Sequence, residues 1–293
     1  MKIGICLPYM KRDYDRNTML EWCRRVDRGP FHSLSCGERV TGYTCDMRVL
    51  LSAACAVTER VRINPSLYVL PMHNAVRVAK EIATMDVLSG GRVDVTVGVG
   101  GREQDYRAVG ADFTRRHQRM QQQVAEMRRI WAGEPPFEGA DPVGPKPLQP
   151  GGPKILVGAM GPKSMARAAT YADGVYAFSM TGSRTEIERM LAMADSAWQQ
   201  AGRSSKPYRM GGFWYTLAPE GGREKLRQYV YDYLRIAGDN IASAVADSMT
   251  RHDEAAVRDG LDAMQASCTS TASSARGWQN LPRKTCSGGS VSG

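Results

Sequence analysis

Segments with the two-residue period of a strand and segments with the period of a helix follow one another in turn along most of this chain. Lys2–Leu7 puts Ile3, Ile5 and Leu7 on one face, as an alternating strand does. Asn17–Val26 then spaces Met19, Leu20, Cys23 and Val26 for one helical face. The same couplet recurs with strands at Phe31–Cys36, Val61–Leu70, Arg92–Val99, Lys154–Gly158, Gly174–Phe178 and Tyr208–Leu217. Helices are expected at Asp46–Val57, Val76–Leu88, Arg115–Trp131, Pro162–Tyr171, Thr185–Ala201, Gly222–Ala237 and Asp253–Ala266. Strand–helix units in series specify a parallel sheet with helical crossovers. Seven of them favour an α/β (β/α)8 TIM barrel over a doubly wound sheet, with the active site at the C-terminal strand ends.

The pattern stops at Ser267. From there to Gly293 the chain is about half Ser, Thr and Gly, with no acidic residue. An eighth barrel strand, buried on both faces, should be rich in Val, Ile or Leu. The domain reading is therefore a barrel over residues 1–266, with the eighth-strand region atypical or missing, and a disordered or loosely attached tail over 267–293. A shift of reading frame near Cys268 would produce such an abrupt change. A Pro/Gly-rich excursion from Gly133 to Pro153 is the other break in the alternation.

Charge excludes some partners. The chain carries 39 basic and 30 acidic residues, a net +9, but three of the basic ones (Arg276, Arg283, Lys284) lie in the tail, leaving +6 for the rest. Arg and Lys are interleaved with Asp and Glu, without the basic blocks or alternating aromatics of a nucleic-acid platform. No apolar run approaches the roughly 18–20 residues of a membrane span, and the N-terminus does not read as a signal peptide. No nucleic-acid or membrane partner is expected, and the cytoplasm is the expected location. The seven cysteines form no CxxC pair and have no histidine at metal-ligand spacing, so no metal is expected. The first five, Cys6, Cys23, Cys36, Cys45 and Cys55, read as small buried hydrophobes in a reduced protein.

Two strand ends carry unusual residues. Gly98-Val99-Gly100-Gly101-Arg102-Glu103 fails the dinucleotide pattern, because Glu103 occupies the third glycine position. It reads either as a tight barrel turn or as backbone kept bare for a flat ligand. Gly158-Ala159-Met160-Gly161-Pro162-Lys163-Ser164 ends a strand and opens a helix with proline, leaving backbone N–H groups and a hydroxyl near an anion site.

Tyr68-Val69-Leu70-Pro71-Met72-His73-Asn74 through Glu81, then Asp86-Val87-Leu88-Ser89-Gly90-Gly91-Arg92, resembles the bacterial luciferase-like monooxygenase family. The likeness continues through Gly98–Gly101, Tyr106–Gly110, Glu126 and Trp131, and resumes at Gly158–Ser164 and Ala172–Val175. It implies a (β/α)8 barrel that binds FMN or coenzyme F420 at its C-terminal mouth, and a homodimer. Carried over by position, a non-prolyl cis peptide under the ring system aligns with Ser66-Leu67. Gly98, Gly100 and Gly101 would line the ring edge, and Gly158, Gly161 and Ser164 would hold the phosphate. Light-emitting relatives have a phosphate-binding arginine where this chain has Gly100, which favours F420, with FMN the alternative. The expected reaction is hydride transfer to or from an unidentified small organic molecule. The alternatives are an FMN-dependent monooxygenase supplied by a reductase, and a non-catalytic flavin-binding paralogue. Glu38 and His73 are the candidate proton-transfer residues. Each also has a plainer reading, Glu38 as a surface ion-pair partner and His73 as a helix-start residue bonded to backbone.

Overall fold

The structure is a computed structural model that describes residues 1–10, 12 and 14–269. Its strands are β1 (Gly4–Cys6), β2 (Ser33–Cys36), β3 (Arg62–Val69), β4 (Val95–Gly98), β5 (Ile155–Gly158), β6 (Gly174–Phe178) and β7 (Tyr208–Gly212). They form one parallel sheet in sequence order, β1 to β7. Among the described residues no strand joins β7 to β1, so the fold is an α/β sheet of seven parallel strands. Residues 270–293, most of the expected tail, lie outside the described residues.

The helices are α1 (Arg16–Arg28), α2 (Met47–Val57), α3 (Ala75–Leu88), α4 (Glu103–Ala108), α5 (Arg116–Ala132), α6 (Pro162–Tyr171), α7 (Arg184–Gln200), α8 (Gly222–Leu234), α9 (Asp239–Asp247) and α10 (Glu254–Thr269). Their starts follow local chemistry. Asp15, Asp46, Asn74 and Ser183 each accept a backbone N–H from the first turn of α1, α2, α3 and α7. Two helices, α4 and α9, fall outside the periodicity reading. The first follows a glycine run and has six residues, too few for a helical period to register.

The two faces of the sheet differ in kind. Leu34, Cys36, Ile63, Val95, Val97, Ile155, Val157 and Val175 are buried against Met19, Cys23, Val26, Leu51, Ala54, Val78 and Ile82 of the helical layer. Strand alternation turns the intervening residues inward. Cys6 pairs in register with Ser35, Ser35 with Asn64, and Tyr176 with Met210. The Asn64 amide lies 3.2 Å from the Thr96 hydroxyl and 3.1 Å from the Met210 sulfur, so β3 and β7 approach each other across the interior. The sheet is thus curled, with polar Ser35, Asn64 and Thr96 inside beside Leu156 and Met210, and an apolar outside.

This corrects one expectation. Cys23, Cys36 and Cys55 are buried and Cys45 is half-buried, but Cys6 is solvent-accessible. It lies on the inward face of edge strand β1, beside the gap to β7. Packed protein around it still raises its thiol pKa to about 11.

The Asp86–Arg92 run supports the opposite end of the sheet from the glycine-rich strand ends. Asp86, fully buried, accepts the backbone N–H groups of Leu148 (2.8 Å) and Gln149 (3.1 Å) and the Gln149 side-chain amide (2.8 Å). It thereby anchors the Gly133–Pro153 excursion. Arg92 donates to the Thr58 carbonyl at 2.6 Å, the Ser89 carbonyl at 2.5 Å and the Val61 carbonyl at 2.5 Å, tying α2 to β3 and β4. These residues hold the scaffold rather than a ligand.

Candidate active site

The C-terminal strand ends gather most of the residues singled out above. In β3 the register against β4 shifts between Ser66 and Tyr68, and the Ser66–Leu67 peptide is cis. The extra residue at this bulge turns the Leu67 side chain over the ends of β4 and β5. A Cβ added at Gly98 would fall 2.8 Å from Leu67 Cδ1, and one added at Gly158 would fall 2.6 Å from Leu67 Cδ2. These two glycines are therefore required by the leucine that packs on them. Gly100 has φ +60°, and a Cβ there would meet Val69 Cγ1 at 3.0 Å. Gly101 and Gly161 differ, since nothing lies within 4 Å of a Cβ built at either.

Glu38 and His73 meet. His73 Nε2 is 2.8 Å from Glu38 Oε1, and Glu38 Oε2 accepts the Val69 N–H at 2.7 Å. Their side chains are 13% and 7% exposed, so this is an enclosed pair and not a surface ion pair. The imidazole bonds the carboxylate instead of backbone. Its ring also stands edge-on to Tyr68 at 5.0 Å, while the Tyr68 hydroxyl donates to Glu81 at 2.7 Å. A carboxylate facing Nε2 favours a proton on that nitrogen. Ser164 is committed locally. Its hydroxyl donates to the Gly161 carbonyl at 2.8 Å and accepts the Gly161 N–H at 3.2 Å, closing the first turn of α6. The N–H groups left at that terminus belong to Lys163 and Ser164, since Pro162 has none.

Several contributors had no sequence signal. The Tyr176 hydroxyl hydrogen-bonds the Ser66 side chain across the sheet, and burial pushes its pKa well up. Arg39 and Arg102 follow the ends of β2 and β4. Burial, and then the neighbouring Arg39 charge, hold Arg102 below the usual guanidinium range. Asp105 accepts the Thr41 N–H at 2.9 Å and also the Thr41 hydroxyl. Only the inward register of Tyr176 on β6 could have been inferred, by counting alternation from Val175.

A curled parallel sheet with bare glycine ends beside a buried Glu–His pair defines an α/β enzyme-type scaffold. The chain belongs to the luciferase-like monooxygenase family, which matches residues 1–280. An uncharacterized protein of Mycobacterium tuberculosis is 34% identical over 172 residues, 56% of this chain and 60% of that protein. The oxygenase component of the flavin-dependent trigonelline monooxygenase of Acinetobacter baylyi is 26% identical over 201 residues, 65% of this chain and 55% of its own length. The chain thus matches little more than half the length of these relatives. Among solved structures, an F420-dependent secondary alcohol dehydrogenase has the same fold, with TM-score 0.75, 19% identity and coverage of 91% of this chain and 90% of that one. Among the described residues no helix is long and apolar enough to cross a membrane.

The matched family is one of luciferase-like monooxygenases, and the Acinetobacter relative is named as flavin-dependent. The residues present fit a flat cofactor. The backbone is open at Gly101 and Gly161, and the Leu67 side chain lies over Gly98 and Gly158 between them.

Proposed function

We propose that the protein is an F420-dependent oxidoreductase acting on a small organic molecule at the C-terminal ends of β3, β4 and β5. The observation that carries this reading is the open backbone at Gly101 and Gly161 on either side of Leu67, which the bulge in β3 turns over the ends of β4 and β5. The left-handed Gly100, with Val69 against it, argues for the deazaflavin. An arginine there would be strained by its φ and crowded by Val69.

When bound, the deazaflavin ring supplies or accepts the hydride. The chain's own residues do the rest. Leu67 supports one face of the ring, and Gly101 lets its edge approach the backbone. The Lys163 and Ser164 N–H groups at the α6 terminus receive an anionic group. Glu38, fixed by the Val69 N–H, holds His73 at Nε2, and Nδ1 is left to exchange a proton with the substrate. A closed (β/α)8 barrel belongs to the same reading, supported by the curl that brings Asn64 to Met210.

Fluorescence titration of the purified chain with reduced F420 and with reduced FMN tests the assignment. Micromolar F420 binding without comparable FMN binding is expected. The reverse overturns it in favour of a flavin-dependent monooxygenase, which the name of the Acinetobacter relative favours. Binding of neither cofactor rejects both.

A further inference from the structure

An aromatic wall climbs from inside the sheet to the rim and ends on two guanidinium groups. On β6, Val175 and Ala177 pack outward into apolar clusters, which turns Tyr176 and Phe178 inward. The Tyr176 and Phe178 ring centroids are 6.2 Å apart. Phe178 meets Trp214 edge-on at 4.9 Å, and Trp214 meets Tyr233 of α8 at 5.4 Å. Above Tyr233 lies the Arg39 guanidinium, 4.8 Å from the ring centroid, with Nη2 3.3 Å from the Tyr233 carbonyl.

The charge at the top of this wall is unbalanced. Among the described residues no carboxylate pairs with Arg39. Arg102 has Asp105 at 3.4 Å, but its buried Nε makes no hydrogen bond, and Asp105 already takes two donors from Thr41. Arg102 thus has one carboxylate and, through Nη2, the Thr41 hydroxyl at 3.3 Å, and Arg39 pairs with no carboxylate among the described residues. A planar fork of donors beside edge-to-face rings matches a planar acid attached to a ring.

We propose that the mouth of the sheet receives a planar aromatic carboxylic acid, its ring along Phe178 and Trp214 and its carboxylate between Arg39 and Arg102. Calling this ligand the substrate rests on the oxidoreductase reading above. Its binding does not. The Arg pair follows β2 and β4 and the turn that receives the cofactor's anion follows β5, and the Arg39 variants below decide which anion the pair holds.

The test is calorimetry on the cofactor-free full chain with 2-naphthoate and its neutral counterpart 2-naphthamide. The acid should bind roughly tenfold more tightly than the amide, and Arg39→Met should abolish that difference while Arg39→Lys keeps part of it. The ratio of FMN to riboflavin affinity should be unchanged in Arg39→Met. Equal binding of acid and amide, or no binding of either at millimolar concentration, overturns the proposal. So does a selective loss of FMN over riboflavin in Arg39→Met, which would assign the guanidinium pair to the cofactor phosphate. A protein that binds reduced F420 but ignores naphthoate loses only this inference. One that binds naphthoate but no cofactor keeps it and loses the oxidoreductase reading.

Discussion

Glu38 holds His73 with one carboxylate oxygen, 2.8 Å from Nε2, and the β3 backbone with the other, 2.7 Å from the Val69 N–H. The end of β2 is thereby locked to the strand that carries the bulge, and the imidazole is given one orientation.

Replacing this carboxylate separates its two duties. Glu38→Gln keeps its one oxygen for Val69 and then presents an NH2 donor, in place of a carboxylate oxygen, to Nε2. Turnover should fall by roughly a hundredfold with the melting temperature nearly unchanged. Glu38→Ala also strands the buried Val69 N–H, and should cost about 1–3 kcal/mol in urea denaturation. Full activity in Glu38→Gln would remove the pair from the chemistry.

The packing of Leu67 on Gly158 can be probed sterically. Gly158→Ala places a methyl 2.6 Å from Leu67 Cδ2, so the leucine must shift. Cofactor affinity should drop about tenfold and stability by roughly 1 kcal/mol. Adding Leu67→Ala should restore much of the stability, because the two changes compete for one space. Purely additive effects would show that Leu67 is not the constraint.

At the other end of the sheet, Asp86→Ala leaves the Leu148 and Gln149 N–H donors without their acceptor. A loss of about 3 kcal/mol or more is expected, together with new proteolytic cleavage within residues 133–153. Asp86→Asn should be milder, since one oxygen remains. Cofactor affinity of the still-folded protein should change little.

Cys6 is accessible yet has its thiol pKa raised to about 11 by the protein packed around it. At pH 8 its thiolate fraction is roughly a hundredfold below that of an ordinary thiol. Alkylation followed by peptide mass spectrometry should find Cys6 slow at pH 8 and accelerating with each unit of pH toward 11. Fast labelling at pH 8 would contradict the packing described.

Much of the scaffold was legible because its signals are local. The Val95, Val97, Ile155 and Val157 alternation marks strands from neighbours alone. Strand lengths were overestimated where residues continue the pattern without a partner. Tyr208–Leu217 reads as one strand, but β7 ends at Gly212. There Phe213 and Trp214 leave the sheet to pack on the Ala177 cluster and on α8 and α9. The site was legible as a list and not as a geometry. Nothing near Glu38 in sequence reveals that it accepts from Val69, and Ser164 looks free until its own turn closes on it. Gly98 and Gly158 look like concessions to a ligand, although Leu67 already accounts for both.

The mixed interior has a consequence for the edges of β1 and β7, which no strand pairs among the described residues. In an oil-filled barrel, a missing stave would bring Val, Ile and Leu into contact with water. Here the inward positions mix Cys6, Ser35, Asn64, Thr96 and Tyr176 with Leu156, Phe178 and Met210, while the large apolar cluster lies between the sheet and its helices. Most of the cohesion comes from that outer shell, and much of what faces the lumen can hydrogen-bond to water.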